Sequence, residues 1–312
     1  MRILLTGSSG FVGQHLLPYL RGRGHQVLTL ARGSQTAAGP FAWEGPADLA
    51  DIERWPSWPE HIEALVHLAA LNPGRGDPQA FDLEALRHAN VGATAALTRR
   101  ARREGVRRVV FVSTALVHRP SHEGFVSQSD RPVPANAYAR SKLEAEEIFW
   151  TSLKGGDTEG SVLRPAPVYG SGARGNITKL IRLARLPLPL PLEGLGSARS
   201  LLAVNHLAEA LELCLGSPAA IGETFLVADD GPVTPAEIVR AIRQGLGRSP
   251  MIFRAPATLF AAIARWAGRN DQWQNATMPF ALETRHIQDR LGWQPSGTTK
   301  TMLRRMAAAG TL

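Results

Sequence analysis

Ile3-Leu4-Leu5-Thr6-Gly7-Ser8-Ser9-Gly10-Phe11-Val12-Gly13-Gln14-His15-Leu16-Leu17 decides the fold. An apolar run breaks on a glycine-rich turn, and an amphipathic segment opens at Phe11. Glycine permits the tight turn and lets the backbone come close to an anion. The following helix aims its first N–H groups and its positive dipole end at the same point. The spacing is Gly-x-x-Gly-x-x-Gly, not the commoner Gly-x-Gly-x-x-Gly fingerprint. Strand, turn and helix in this order favour a pyrophosphate-binding turn over an ordinary turn with packing glycines.

The second strand closes on Leu28-Thr29-Leu30-Ala31-Arg32. NAD-preferring sites place an acid here for the ribose 2′-hydroxyl, and this chain has none. Arg32 suits a 2′-phosphate. The expected cofactor is therefore NADP or NAD, with NADP ahead. A solvated arginine at a loop start is the competing reading.

Beyond this unit, short apolar runs alternate with amphipathic ones. Ile3–Thr6, Gln26–Leu30, Ala64–His67, Arg107–Val112 and Ser161–Leu163 read as strands, with helix patterns at Phe11–Leu20, Ala80–Arg103 and Ala137–Leu153. This predicts an α/β Rossmann fold, a doubly wound parallel sheet that binds ligands at the carboxyl ends of its strands. A dinucleotide-binding domain is expected over 1–169. A smaller α/β substrate lobe is expected over 170–312, with some segments crossing back. In that second half Leu186–Leu192 alternates leucine with proline and reads as extended. Leu201–Leu215 reads as a helix and Gly222–Ala228 as a strand. Thr234-Pro235-Ala236-Glu237 opens a helix with a capping box and proline at its first position. Ala257–Ala267 and Arg285–Leu291 read as further helices.

The chain has 312 residues and a net charge of +8, carried almost entirely by arginine; Lys142, Lys154, Lys179 and Lys300 are its lysines. The arginines are spread along the chain, so nucleic acid is not an expected partner, while an anionic small substrate suits the charge. The densest run, Arg99-Arg100-Ala101-Arg102-Arg103 and then Arg107-Arg108, ends a helix pattern and is expected on a solvated face. No signal peptide is read at the N-terminus. No apolar run reaches the ~18 residues of a membrane span. A cytoplasmic protein with no membrane partner and no metal is expected. Cys214, the single cysteine, sits in an apolar helical run and is read as a small buried hydrophobe.

Tyr138-Ala139-Arg140-Ser141-Lys142 puts a phenol and an ammonium on one helix face. A nearby cation favours the phenolate, so the pair can serve as a general acid and base. It follows a strand that ends in Ser113-Thr114, whose hydroxyls are expected where a ligand binds.

Taken together these segments resemble the extended short-chain dehydrogenase/reductase superfamily, in its NAD-dependent epimerase/dehydratase family, over nearly the whole chain. Gly7-Ser8-Ser9-Gly10-Phe11-Val12-Gly13 matches the dinucleotide turn, implying cofactor contacts from Gly7, Ser9, Gly10, Phe11, Val12 and Gly13. Asp48-Leu49 resembles the pair beside the adenine. His67-Leu68-Ala69-Ala70 resembles the fourth-strand motif, whose Leu68, Ala69 and Ala70 line the cofactor, and Asn90-Val91 resembles the asparagine of the next helix. Ser113, Thr114, Tyr138 and Lys142 match the catalytic set, with Tyr138 and Lys142 also touching the cofactor. Arg164-Pro165-Ala166-Pro167-Val168-Tyr169-Gly170 resembles the motif near the nicotinamide, implicating Pro165 and Val168. Thr114, Asn176, Ile177 and Arg199 match substrate contacts of nucleotide-sugar enzymes, the last three at the diphosphate. The resemblance is nearest to bacterial enzymes acting on UDP-N-acetylhexosamines and their 4-keto-6-deoxy forms in surface polysaccharide synthesis. It implies hydride transfer at C4 with Tyr138 as acid/base.

Two departures refine the expectation. Dehydratases of the family follow the threonine with Asp-Glu; here Ala115-Leu116 follow Thr114. A 4-epimerase or 4-keto reductase is expected, and not a dehydratase. Val117-His118-Arg119 replaces the usual Val-Tyr-Gly, and His118 is read as structural ahead of a substrate contact. A non-catalytic dinucleotide sensor and a reductase of a non-nucleotide carbonyl are the alternatives. Family members often pair through two helices, so a homodimer through Ala80–Arg103 and Ala137–Leu153 is implied.

Overall fold

The protein was analysed as a computed structural model, which describes residues 1–312 apart from 33–40, 74–76, 120–123, 174, 257, 259–264, 267 and 269–277. The side chains of Arg32 and Asn176 also lie outside the described residues, as does nearly all of the helix expected over Ala257–Ala267. The first half contains β1 (Arg2–Thr6), α1 (Phe11–Gly22), β2 (Gln26–Arg32), β3 (Ala42–Gly45), β4 (Ala64–His67), α2 (Leu83–Leu86), α3 (Ala93–Arg103), β5 (Arg108–Val112), β6 (Phe125–Val126) and α4 (Ala137–Leu153). The second half adds β7 (Glu159–Pro165), β8 (Val168–Tyr169), α5 (Asn176–Arg185), β9 (Leu190–Glu193), β10 (Leu202–Ala203), α6 (Val204–Gly216), β11 (Thr224–Val227), α7 (Pro235–Gly245), β12 (Ile252–Arg254) and β13 (Ala281–Leu282). Helices α8 (Arg285–Leu291) and α9 (Thr299–Ala308) close the described chain.

Seven strands form one sheet in the order β11-β7-β5-β4-β1-β2-β3, every pair parallel. The order reverses at β1, which has β2 on one side and β4 on the other. That reversal opens the crevice at the carboxyl edge where doubly wound sheets bind ligands. β11 comes from the second half of the chain, so the two halves share this sheet.

Alternation along each strand sorts its side chains to two faces. Ile3, Leu5, Val66, Val110 and Phe225 pack against Leu16 and Leu20 of α1 and Leu207 and Leu211 of α6. Leu4, Leu65, Val109 and Phe111 face the other way, against Leu97 of α3 and Phe149 and Leu153 of α4. A third core joins Tyr169, Ile177, Ile181, Val239, Ile242 and Leu303, tying α5, α7 and α9 together.

Most expected elements appear where periodicity put them, and α4 and α8 match to the residue. The helix pattern over Ala80–Arg103 is broken instead of continuous. A short 3-10 turn and α2 lead into a π-turn at Arg87–Gly92 before α3 begins. Asp82 resets the backbone there, its side chain accepting from Glu84 N at 2.8 Å. The helix expected from Leu201 starts at Val204, because Leu202 and Ala203 pair with Val168 and Tyr169. Thr234 and Glu237 form the full capping box.

Most of the arginine run lies on the expected solvated face, with Arg99, Arg102, Arg103 and Arg107 exposed, but Arg100 and Arg108 do not. Arg100 is buried, its Nη1 donating to Trp55 O at 2.7 Å and its Nη2 to Ser57 O at 3.2 Å, with the guanidinium over the Trp58 ring. Arg108 is buried and holds Cys214 O, Ser217 O and Glu159. Arg99 does lie at the surface, paired with Glu53 at 2.7 Å. Side-chain direction on adjacent helix residues decides between the two environments, and charge count alone carries no such information. Arg100→Ala is expected to lower stability by about 2 kcal/mol, since it removes a buried side chain together with the donors to part-buried carbonyls. Arg99→Ala should stay within about 1 kcal/mol of the parent. Urea denaturation midpoints of the two variants check the contrast.

Candidate active site

The glycine turn forms because its glycines meet backbone where a side chain would not fit. Gly7 has φ of +72°, and a β-carbon there would stand 2.7 Å from Ala69 N. A β-carbon on Gly13 would stand 2.3 Å from Gly7 O, so α1 is seated directly on the turn. Gly10 caps α1 without a side chain, and the first turn of the helix holds no acidic residue. The helix N-terminus therefore keeps its N–H groups and positive end for an anion, which suits a dinucleotide pyrophosphate.

The loop after β4 walls the crevice. Thr6 Oγ1 lies 2.8 Å from His67 Nδ1 and accepts from Ala69 N at 3.3 Å. His67 Nε2 lies 3.1 Å from Thr94 Oγ1. Burial, reinforced by the charge of Lys142, pushes the His67 imidazole down to about 3, so it is neutral at pH 7. Asn90, in the π-turn, accepts from Leu71 N at 2.8 Å and donates to Leu71 O at 3.1 Å and Ser141 Oγ at 2.9 Å. Its polar atoms are spent on protein groups, so it shapes the loop. Asp48 caps a 3-10 turn through Ala50 N at 2.9 Å and meets His88 Nε2 at 2.5 Å, while Leu49 packs into the core.

Helix α4 starts on Asn136, whose side chain accepts from Ala139 N. This places Tyr138 in the first turn, where its hydroxyl accepts from Asn72 Nδ2 at 3.3 Å. One turn on, Lys142 is buried. Its Nζ donates to Val112 O at 2.9 Å and lies 4.1 Å from the centre of the Phe111 ring. Burial pushes this ammonium down to about 7, with Glu146 opposing. Ser113 and Thr114 follow β5 directly. Thr114 Oγ1 accepts from Leu116 N at 3.2 Å, leaving its proton to give, and the buried Ser113 Oγ has no hydrogen-bond partner among the described residues. Pro165 ends β7 and Val168 opens β8 at the same edge.

The structure thus brings the turn, the Leu68–Ala70 loop, Ser113, Thr114, Tyr138, Lys142, Pro165 and Val168 to one sheet edge. Other expected residues stand differently. Ile177 is buried in the third core, leaving only its backbone toward the start of α5. Arg199 bridges Val233 and Phe280 through its backbone, and its Nη1 donates to Met278 O at 3.1 Å. Its guanidinium also lies over the Phe280 ring.

Two features were not read from the sequence. Asn72 is one. The other is the buried cluster in which Arg164 holds Glu146 at 2.6 Å and His118 Nε2 at 3.0 Å. Glu146 stands one turn after Lys142 on α4, so helical spacing alone would have found it. Burial first, and Arg164 second, push His118 down to about 4, so that its Nε2 is a neutral acceptor for Arg164. Cys214 is buried and its thiol is pushed up to about 12 by burial.

This fold and crevice define a dinucleotide-binding α/β protein. Residues 3–228 match the NAD dependent epimerase/dehydratase family, and the chain belongs to that family. A UDP-glucose 4-epimerase of Vibrio cholerae is 29% identical over 98% of this chain and 94% of its own. A 3-diazoavenalumate denitrifying reductase of a Streptomyces species is 33% identical over 95% of this chain and 96% of its own. The solved UDP-N-acetylglucosamine 4-epimerase from Bacillus cereus shares the fold at a TM-score of 0.78 and 18% identity, covering 99% of this chain and 98% of that one.

The depressed Lys142 has a pH signature. Between about 7 and the unfolded value near 10.5, the unfolded chain keeps a proton that the native protein has lost. Stability therefore rises with pH across that window, and the penalty of a buried ammonium is fully present below it. Lys142→Met is expected to flatten the rise. Comparing denaturation midpoints of both proteins at pH 7 and pH 9.5 without cofactor checks this; parallel curves would refute the buried, depressed amine.

Proposed function

We propose that the protein is an NAD(P)-dependent oxidoreductase or epimerase of a nucleotide sugar, exchanging hydride at C4 of a UDP-N-acetylhexosamine or its 4-keto-6-deoxy form. The observation that carries the reading is the Tyr138 hydroxyl, held by Asn72 at the same sheet edge as the Ser113 hydroxyl, which has no partner among the described residues. When bound, the nicotinamide supplies or accepts the hydride. Tyr138 gives its proton to a ketone oxygen during reduction, or takes one from a hydroxyl during oxidation. Thr114 and Ser113 hold that oxygen by hydrogen bonds. Lys142 places a positive charge behind the site and favours the phenolate. The relatives that act on UDP-sugars support the substrate class.

Epimerase and 4-keto reductase are the two activities this machinery serves. A dehydratase is disfavoured because Ala115 and Leu116 follow Thr114, and Ala115 is buried, so no carboxylate stands there for elimination. For the cofactor, Ala31 stands where an acid would select NAD, which favours NADP. Mass analysis of nucleotide released from the denatured protein separates the cases. Retained NAD supports an epimerase, and empty protein that oxidises NADPH with a UDP-4-keto sugar supports a reductase.

A reductase of a non-nucleotide substrate is the second reading. It is favoured by the Streptomyces relative and by the engagement of Arg199 with Met278 O and the Phe280 ring. Calorimetric titration with UDP decides between them: micromolar binding supports the nucleotide sugar, and its absence supports the second reading.

Tyr138→Phe is expected to lower kcat by about 10²–10⁴-fold while leaving the Kd for the dinucleotide within about twofold. Undiminished turnover in that variant would remove Tyr138 from the proton-transfer role.

A further inference from the structure

One arginine outside the candidate site organises an exposed rim of the substrate half. Arg243 of α7 is buried, and its guanidinium is spent on backbone carbonyls. Nε donates to Ala184 O, Nη1 to Pro250 O and Met251 O, and Nη2 to Leu186 O and Leu188 O. Five carbonyls from two separate segments are thereby gathered on one cation. The leucine–proline segment after α5 and the segment entering β12 are pinned side by side. Leu190 N donates to Met251 O at 2.9 Å, and β12 runs parallel to β9.

The side chains this rim presents are apolar. Ile252 packs against the third core, so the alternation of the strand turns Met251 and Phe253 to the opposite face. Leu186, Leu188, Met251 and Phe253 are each 43–56% exposed. The same two segments carry the exposed Arg182, Arg185, Arg248 and Arg254, with Arg185 Nη2 donating to Leu312 O. Arg248 Nη1 donates to Arg185 O, which puts the two segments' basic residues together. Neither segment carries an acid: residues 170–192 and 238–256 contain no Asp or Glu. Glu193, at the border, is tied to Arg240 at 2.7 Å.

We infer that this rim is a peripheral docking surface for an anionic lipid bilayer. Exposed apolar side chains on a rigid rim enter the headgroup boundary, and the surrounding arginines meet anionic headgroups. No membrane span is needed, and among the described residues no helix is long and apolar enough to cross a membrane. The inference revises the expectation of no membrane partner, and it stands whatever substrate the active site takes. A second copy of the chain fits poorly, because a two-fold contact would set the arginine rim against itself. Nucleic acid would engage the arginines but gives no role to exposed leucine and methionine.

Co-sedimentation with vesicles tests the proposal. Phosphatidylcholine vesicles and 1:1 phosphatidylcholine–phosphatidylglycerol vesicles are compared at low and high salt. The protein is expected on the anionic vesicles at low salt, at least tenfold more than on the neutral ones, with binding falling as salt rises. Leu188→Ser with Phe253→Ser, and separately Arg248→Glu with Arg254→Glu, should each reduce binding at least tenfold. Tm and dinucleotide affinity should be unchanged, which separates lost docking from lost folding. Absence of binding to anionic vesicles, or binding that survives both double variants, overturns the proposal. So does a Leu188/Phe253 variant that only dissociates an oligomer in sedimentation velocity, which would assign the rim to a second copy.

Discussion

The site depends on one close approach between loops: the Gly7 turn lies directly on the Leu68–Ala69 peptide. No side chain fits between them. The strands that carry these two loops are neighbours at the point where strand order reverses, so the sheet itself presses them together. Thr6 fixes the spacing from below by bonding both His67 and Ala69 N. A few residues further along the same loop, Leu71 is clamped by Asn90, and Asn90 in turn holds Ser141 on α4. Asn72 then reaches the Tyr138 hydroxyl. The surface suited to a pyrophosphate and the group suited to proton transfer are therefore held in register through one loop. Rigid support of this kind is what alignment of reacting groups requires.

Helix α4 carries a graded row of side chains on one face. Tyr138 is partly open, Lys142 is buried against Phe111, and Glu146 is buried against Arg164. Phe111 lies between two polar groups, stacking on His67 and facing the ammonium of Lys142. A cation over a ring face recovers part of the hydration it loses. The remainder appears as a depressed ammonium at Lys142 and a neutral imidazole at His67. The Glu146–Arg164–His118 cluster fastens the far end of that face to the end of β7 and to the segment after Thr114. It holds the helix against the strand ends without placing a charge in the crevice.

Periodicity and turn chemistry made most of the sheet legible, because buried parallel strands are nearly all apolar and the helices between them are amphipathic. The glycine turn was legible for the same reason that it is needed, since few other residues fit. What escaped reading was decided by contacts between distant segments. The break at Asp82 and the π-turn at Asn90 lie inside a pattern that looks continuous in sequence. The short strands β8 and β10 exist because they pair with each other, across more than thirty intervening residues. Arg199 reads as a phosphate ligand by its neighbours in sequence, yet Met278 and Phe280 take part of its guanidinium. Ile177 reads as a binding residue by position and packs as a core residue by its side chain.

The arginine content shows how little a net charge says before residues are placed. Three arginines are interior fasteners: Arg100 for the loop at Trp55 and Ser57, Arg108 for the end of α6, and Arg243 for the rim after α5. In each case a planar fork of donors satisfies backbone carbonyls at loops or a helix end. Lysine has three donors on a single nitrogen and cannot spread them over carbonyls as far apart as a guanidinium does. Arg100 and Arg108 also pair with Glu104 and Glu159, so part of their charge is balanced within the fold. The exposed arginines are a different population, and four of them, Arg182, Arg185, Arg248 and Arg254, lie on the two acid-free segments that Arg243 has drawn together. One buried cation thus shapes a positively charged, apolar rim at the surface, and the molecule's basicity divides into a part that holds the fold and a part that faces outward.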